Sequence, residues 1–195
     1  VEGLRRSAQS RENQYAMSHT EKVQSWLADF VIGHNICPFA KRPFSQDRIR
    51  IRIIETGEEE LLTKTLLEEL SDLVEVDRQK LETTLLVFPN LFPDFDDFWA
   101  YWEWTQDLLV ESKTEGLIQL VGFHPDFYFG DSEQDDLANY TNRSPYPLLH
   151  LLREESVEEA IAQFSDIDEI PERNAAYLRT LSKKTLEDLR IGHHE

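Results

Sequence analysis

The order of elements in this chain predicts an α/β fold, a small parallel or mixed sheet of three to four strands packed by helices. Three observations carry that prediction. Apolar or alternating runs at 49–53, 83–88 and 117–123 have strand length and strand patterning. Amphipathic stretches with capping residues precede and separate them. Strands that alternate with long helices pair in parallel through right-handed crossovers. Ferredoxin-like α+β topology is the alternative, reached if a further strand goes unrecognised.

Each element has its own signal. Ser18 with Glu21 fits a capping box, and Val23, Trp26, Leu27, Phe30 and Val31 recur at helical spacing, so a first helix should stop before Pro38. Ile49, Ile51 and Ile53 alternate with Arg48, Arg50 and Arg52, which reads as a strand near a sheet edge with one buried and one basic face. Leu61, Leu62, Leu66, Leu70, Leu73 and Val74 mark an amphipathic helix with an acidic outer side. TTLLVF at 83–88 is nearly all apolar, as a strand covered on both faces must be, and Pro89 stops it. Asp94 caps a helix whose stripe of Phe95, Phe98, Trp99 and Trp102 reads as core packing. Gly116 breaks the chain before LIQLVGF at 117–123. Ser144 and Pro145 read as N-cap and first residue of a helix over 145–155. Ser156 with Glu159 suggests another over 157–164, and a last helix follows Pro171 with Tyr177, Leu178 and Leu181.

A chain of 195 residues has room for one ordinary core, so 17–190 is expected to form a single α/β domain. Residues 1–16 are polar and without periodicity, which predicts a disordered N-terminal extension, and Met17, the one methionine, fits a natural start. The tail from Gly192 holds too few apolar residues to pack. A net charge of −18, from 38 acidic and 20 basic residues, repels phosphate backbones and anionic lipid, arguing against nucleic-acid and membrane partners. One cysteine excludes an intrachain disulfide and an all-cysteine zinc site. No apolar run approaches the 18 or so residues of a membrane span, and no apolar signal core is present, so the expected location is cytoplasmic.

The densest chemistry lies between Gly122 and Glu155. His124 ends the third strand, where α/β proteins gather ligands, and Asp126 follows it closely. On a helix over 145–155, His150 opposes the leucines and shares its stripe with Tyr146 and Glu154, one turn to either side. A His and a Glu at that spacing suit a shared divalent metal, or a carboxylate that orients an imidazole base. Asn139, Asn142, Arg143 and Ser144 run into the expected helix start, where backbone N–H groups and an arginine favour a small anion. Asp131, Glu133 and Asp135 are spaced like the opening of a calcium loop, yet the required glycine and closing glutamate are absent, so a solvated acidic loop is the reading. Cys37 is the one thiol. With His124 and Asp126 it would make a Cys-His-Asp set, but nothing local lowers its pKa.

Asn35-Ile36-Cys37-Pro38-Phe39-Ala40, Glu82-Thr83-Thr84-Leu85-Leu86-Val87, Phe123-His124-Pro125, Asn139-Tyr140-Thr141-Asn142-Arg143-Ser144-Pro145-Tyr146-Pro147, His150-Leu151-Leu152-Arg153-Glu154 and Ile170-Pro171-Glu172-Arg173-Asn174 form a recognisable set. Together they resemble a family of bacterial proteins of unknown function, domain-of-unknown-function family 1415, over about Val23 to Leu181. The resemblance implies a bacterial cytoplasmic protein of one domain and supplies no activity.

From the residues, three functions are expected in descending order. The first is a small-molecule enzyme, a hydrolase or group transferase on an anionic substrate. His124, His150, Glu154, Cys37 and Asp126 are its candidate catalytic residues, and Asn139, Asn142, Arg143, Ser144 and Tyr146 its substrate contacts. His124, His150 and Glu154 are its candidate ligands for a divalent metal. The second is a non-catalytic binding protein using the aromatic helix and the Arg48, Arg50 and Arg52 face. The third is a thiol enzyme built on Cys37.

Overall fold

β-Branched and leucine-rich runs form four strands: β1 (Ile49–Ile53), β2 (Thr83–Val87), β3 (Ile118–Phe123) and β4 (Leu148–Arg153). The computed structural model describes residues 17–163 and 167–191 and orders them β1-β2-β4-β3. β1 and β2 pair in parallel, whereas β4 runs antiparallel to both β2 and β3. The fold is therefore α/β with a mixed sheet. Its element order, β-α-β-α-β-β, is not the β-α-β-β-α-β of the ferredoxin-like alternative.

Helices cover both faces. On one lie α3 (Glu59–Glu75) and α4 (Phe95–Glu111), joining β1 to β2 and β2 to β3. Their leucines and phenylalanines meet Leu86, Leu149, Leu151, Ile118 and Leu120. On the other lies α1 (His19–Ser25), which runs on as a π-helix over Trp26–Ile32. Its residues Val23, Trp26, Leu27 and Phe30 pack with Leu85, Val87, Leu148, Tyr140, Leu178 and Leu186. Also present are α2 (Lys41–Ser45), α5 (Glu154–Gln163), α6 (Ile170–Leu178) and α7 (Lys183–Ile191). The capping box foreseen at α1 is formed, with Ser18 and Glu21 bonding each other's backbone N–H.

The segment expected as a helix over 145–155 is instead strand β4. LLHLLR places apolar residues at spacings that satisfy a helix stripe and a central strand alike. The central position of β4 decides between them, because Leu149 and Leu151 fill the α3/α4 core while Leu148 fills the other. Ser156 and Glu159 do not cap a new helix. Ser156 Oγ donates to Glu82 and Glu159 pairs with Arg78, both within or beside the single helix α5.

β1 is an edge strand, as its alternation predicts, and its basic side is paired with acidic residues of α3. Glu69 of α3 is fully buried and accepts from Arg50 at 2.8 Å, Arg52 at 2.9 Å and the Thr84 hydroxyl at 3.1 Å. Arg50 also meets Asp72, and Arg48 meets Glu82. A buried carboxylate is costly without partners, and Glu69 has three. The ion pairs with α3 thus tie this side of β1 into the fold, while the Arg50 and Arg52 side chains stay 35% and 42% exposed. Across the sheet, Gly122 makes room for α4: a Cβ there would come within 3.1 Å of Phe98 and 3.2 Å of Trp102. Among the described residues, no helix is long and apolar enough to cross a membrane. The expectations for residues 1–16 and for the tail from Gly192 lie outside the described residues.

Candidate functional site at the strand ends

His124 ends β3 as expected, turned toward α4. Its Nδ1 accepts from the Asp126 N–H at 3.0 Å, so the proton sits on Nε2, which donates to the Phe92 carbonyl at 3.0 Å. The ring is 1% exposed between Phe95 and Phe98. Burial holds its pKa below the ordinary histidine value, opposed by the Phe92 bond and the charge of Asp126. Both nitrogens are used, and His124 holds the turn after β3. Asp126 itself is exposed.

His150 lies on the opposite face. It pairs with Leu85 and Val121 in the sheet and contacts the Phe123 ring at 6.3 Å. Its imidazole makes no hydrogen bond to a described residue, and burial alone pushes its pKa down to about 4. Glu154 stands beyond the far end of β4, four residues along an extended strand and not one helical turn away; its N–H donates to the Leu117 carbonyl. The sheet and this spacing keep His124, His150 and Glu154 apart. Among the described residues, no three His, Cys, Asp or Glu side chains gather as a metal site.

Residues 139–142 belong to a 3-10 helix, Leu137–Asn142, and the segment 139–144 does not open the helix expected from 145. Arg143 is 9% exposed, donates from Nε to the Phe127 carbonyl at 3.0 Å and from Nη2 to the Gln134 carbonyl at 2.7 Å, and lies 4.7 Å over the Tyr140 ring. Asn139 is fully buried, accepts from the Phe129 N–H and the Ser132 hydroxyl, and donates to the Glu133 carbonyl. Asn142 Nδ2 donates to the Gly122 carbonyl, and Ser144 Oγ donates to the Tyr146 carbonyl at 2.6 Å. These side chains are spent on backbone, and the helix start that was to hold an anion is absent here. Tyr140 donates to Glu187 of α7; burial, with that bond, pushes its pKa up to about 12.

Cys37 packs in the cluster on the α1 face, across the sheet from the cluster that encloses His124. Burial pushes its thiol pKa up, with the Phe39 and Ala40 N–H groups opposing. The loop around it is tied to α6: Arg173 donates to the Asn35 carbonyl and Asn174, 4% exposed, to that of Ile36.

The geometry brings one predicted residue, Tyr146, together with one that the sequence does not single out, His19. Tyr146 lies two residues before Leu148, which pairs with Val87 and Phe123, the last residues of β2 and β3. It thus stands beyond the carboxyl ends of the parallel strands. The α1 capping box sets His19 at the first helical position, and its Nδ1 lies 2.9 Å from the Tyr146 hydroxyl, with the rings edge-to-face at 5.1 Å. His19 Nε2 meets no described residue. Ser18, His19, Thr20, Ile53, Glu55 and Thr56 line a concavity of about 500 Å³ there. A larger one of about 740 Å³ runs along α3, lined by that helix alone from Glu59 to Ser71, with nothing opposite it. The strand-end concavity joins two separate segments, carries a carboxylate, an imidazole and hydroxyls, and sits where α/β folds place ligands.

No signal in the sequence joins residues 19 and 146, which only the fold brings together. A family model described as "Protein of unknown function (DUF1415)" matches residues 18–188. No curated protein and no solved structure matches the chain.

Proposed function

We propose that this chain, which belongs to the DUF1415 family of proteins of unknown function, is a small-molecule enzyme that works at the carboxyl ends of its parallel strands. The observation that carries the reading is the 2.9 Å hydrogen bond between the Tyr146 hydroxyl and Nδ1 of His19, which itself lines the strand-end concavity. With Tyr146 on Nδ1, His19 presents Nε2 to whatever occupies the concavity. An imidazole fixed through its other nitrogen is the usual form of a general acid or base.

The reaction class this supports is hydrolysis or group transfer. His19 would take a proton from water or a substrate hydroxyl, and Tyr146 would orient the ring and steady its charge. Glu55 and the hydroxyls of Ser18, Thr20 and Thr56 are the polar groups available to position a substrate. Arg143, Asn139 and Glu154 are left out of the site because their partners or positions commit them elsewhere.

A panel of chromogenic esters, amides and phosphate esters tests the reading. Turnover of at least one, reduced on the order of 100-fold or more in both His19→Asn and Tyr146→Phe with melting temperature unchanged, is the expected result. Turnover that both variants retain in full would remove these residues from the chemistry.

A further inference from the structure

The two outer strands of the sheet are β1 and β3, and they are protected differently. β1 carries Arg50 and Arg52, each in an ion pair, and edge charge of this kind discourages pairing with another strand. β3 reads IQLVGF, without charge or proline.

Its outward backbone groups follow from the register. Leu117 C=O accepts from the Glu154 N–H, so odd-numbered residues of β3 bond to β4 and Ile118, Leu120 and Gly122 turn their backbone outward. Two of those groups have partners: Ile118 N–H donates to the Thr114 carbonyl, and Gly122 C=O accepts from Asn142 Nδ2. The Ile118 C=O, the Leu120 N–H and C=O, and the Gly122 N–H meet no described residue.

This remainder is self-complementary. In an antiparallel pair centred on Leu120, that residue exchanges two hydrogen bonds with its symmetry mate, and each Gly122 N–H reaches the other copy's Ile118 C=O. The unpaired groups are the ones that this register uses. Beside the strand, Trp102 lies against Gly122, and Gln106 and Val110 follow it at helical spacing on the same side of α4. Val110 and Leu117 are 55% and 51% exposed, and Trp102 Nε1 and Gln106 Nε2 are buried without a hydrogen-bond partner among the described residues. A chain of net charge −18 repels its own copies, and an uncharged strand is where two of them can approach.

We propose that β3 is the contact strand of a symmetric dimer, in which a second copy of this chain pairs antiparallel about Leu120 and joins the two four-stranded sheets into one.

Sedimentation of the full chain over a wide concentration range, with amide hydrogen exchange at Leu120 and Gly122, tests this. The expected result is a species of twice the 22.9 kDa chain mass, with both amides protected in the dimer and exchanging readily once it is diluted to monomer. Gln119→Lys with Leu117→Lys, both at exposed positions, should weaken association by about tenfold or more while leaving the melting of the dissociated chain unchanged. Three results would overturn the proposal: a monomer at every concentration, a dimer in which the two amides exchange freely, or a monomer in which they are already protected. The last would mean that the edge is covered from within the chain.

Discussion

His124 and His19 both stand at the strand ends, yet their ring nitrogens are partnered in opposite ways. His124 is enclosed by Phe95 and Phe98, and each of its nitrogens is bonded to backbone. Nothing is left to touch a substrate. His19 is half-buried, has Nδ1 on a tyrosine hydroxyl, has no described hydrogen-bond partner on Nε2, and is one of the residues lining a concavity. Position in an α/β fold marks a region; the partners of each nitrogen decide whether a histidine there is tied to the chain or keeps a nitrogen without a protein partner. His150 is a third kind, half-buried, with no hydrogen-bond partner among the described residues.

That contrast predicts a ranking of stability effects. His124→Ala removes a ring from an aromatic cluster and strands the Phe92 carbonyl, so it should cost about 3–4 kcal/mol in urea unfolding. A cost below about 1 kcal/mol would erase the distinction from His19. Arg143→Ala comes next, at about 2–3 kcal/mol, because it frees the Phe127 and Gln134 carbonyls and bares Tyr140. Hydrogen exchange should then quicken at Phe129, whose N–H is held by Asn139 in the same loop.

His150 gives the pH signature. Its folded pKa of about 4 lies below the unfolded value of about 6.5, so the unfolded chain binds the extra proton first. Stability should be full above that unfolded value and fall as pH drops from about 6.5 toward 4, by roughly 1–3 kcal/mol, with His124 adding in the same direction. The Asp136–Arg179 pair acts in a separate window, since Arg179 holds Asp136 at about 2 and its contribution disappears only as pH falls through that value. In His150→Leu the slope between pH 6.5 and 4 should flatten, and stability at neutral pH should hold or rise slightly, because a half-buried polar ring without a described hydrogen-bond partner gives way to an apolar side chain. An unchanged slope would mean that His150 is solvated. The smallest effect belongs to His19→Ala, within about 0.5 kcal/mol of the parent.

Most of the fold is legible in the chain because local rules and tertiary context agree. Ser18 and Glu21 cap α1, Asp94 caps α4, and the isoleucine–arginine alternation of β1 puts it at an edge. Residues 148–153 break that agreement: two leucine pairs around a histidine satisfy helix and central-strand periods at once, and only insertion between β2 and β3 chooses. Once the segment is a strand, the stripe of Tyr146, His150 and Glu154 dissolves and the proposed anion site loses its helix. The arginines of β1 are a milder case, since alternation gives their face but not Glu69, which waits on α3 to cover it. In the candidate site, the sequence singles out Tyr146, but as part of a polar helix stripe with His150 and Glu154 and not at a strand end. His19 is not singled out, because a histidine in a first helical turn is ordinary until the fold lays it on a residue 127 positions away.

The most direct test of the central claim is a paired measurement of turnover and unfolding on His19→Ala and His124→Ala, using the panel substrate that the parent chain turns over best. The account predicts a crossed result: His19→Ala keeps its stability and loses turnover on the order of 100-fold, whereas His124→Ala loses stability and, at a temperature where it remains folded, keeps most of its turnover. If His19→Ala retains turnover, or if the two variants lose activity and stability in parallel, the strand-end pair is not the site of the chemistry.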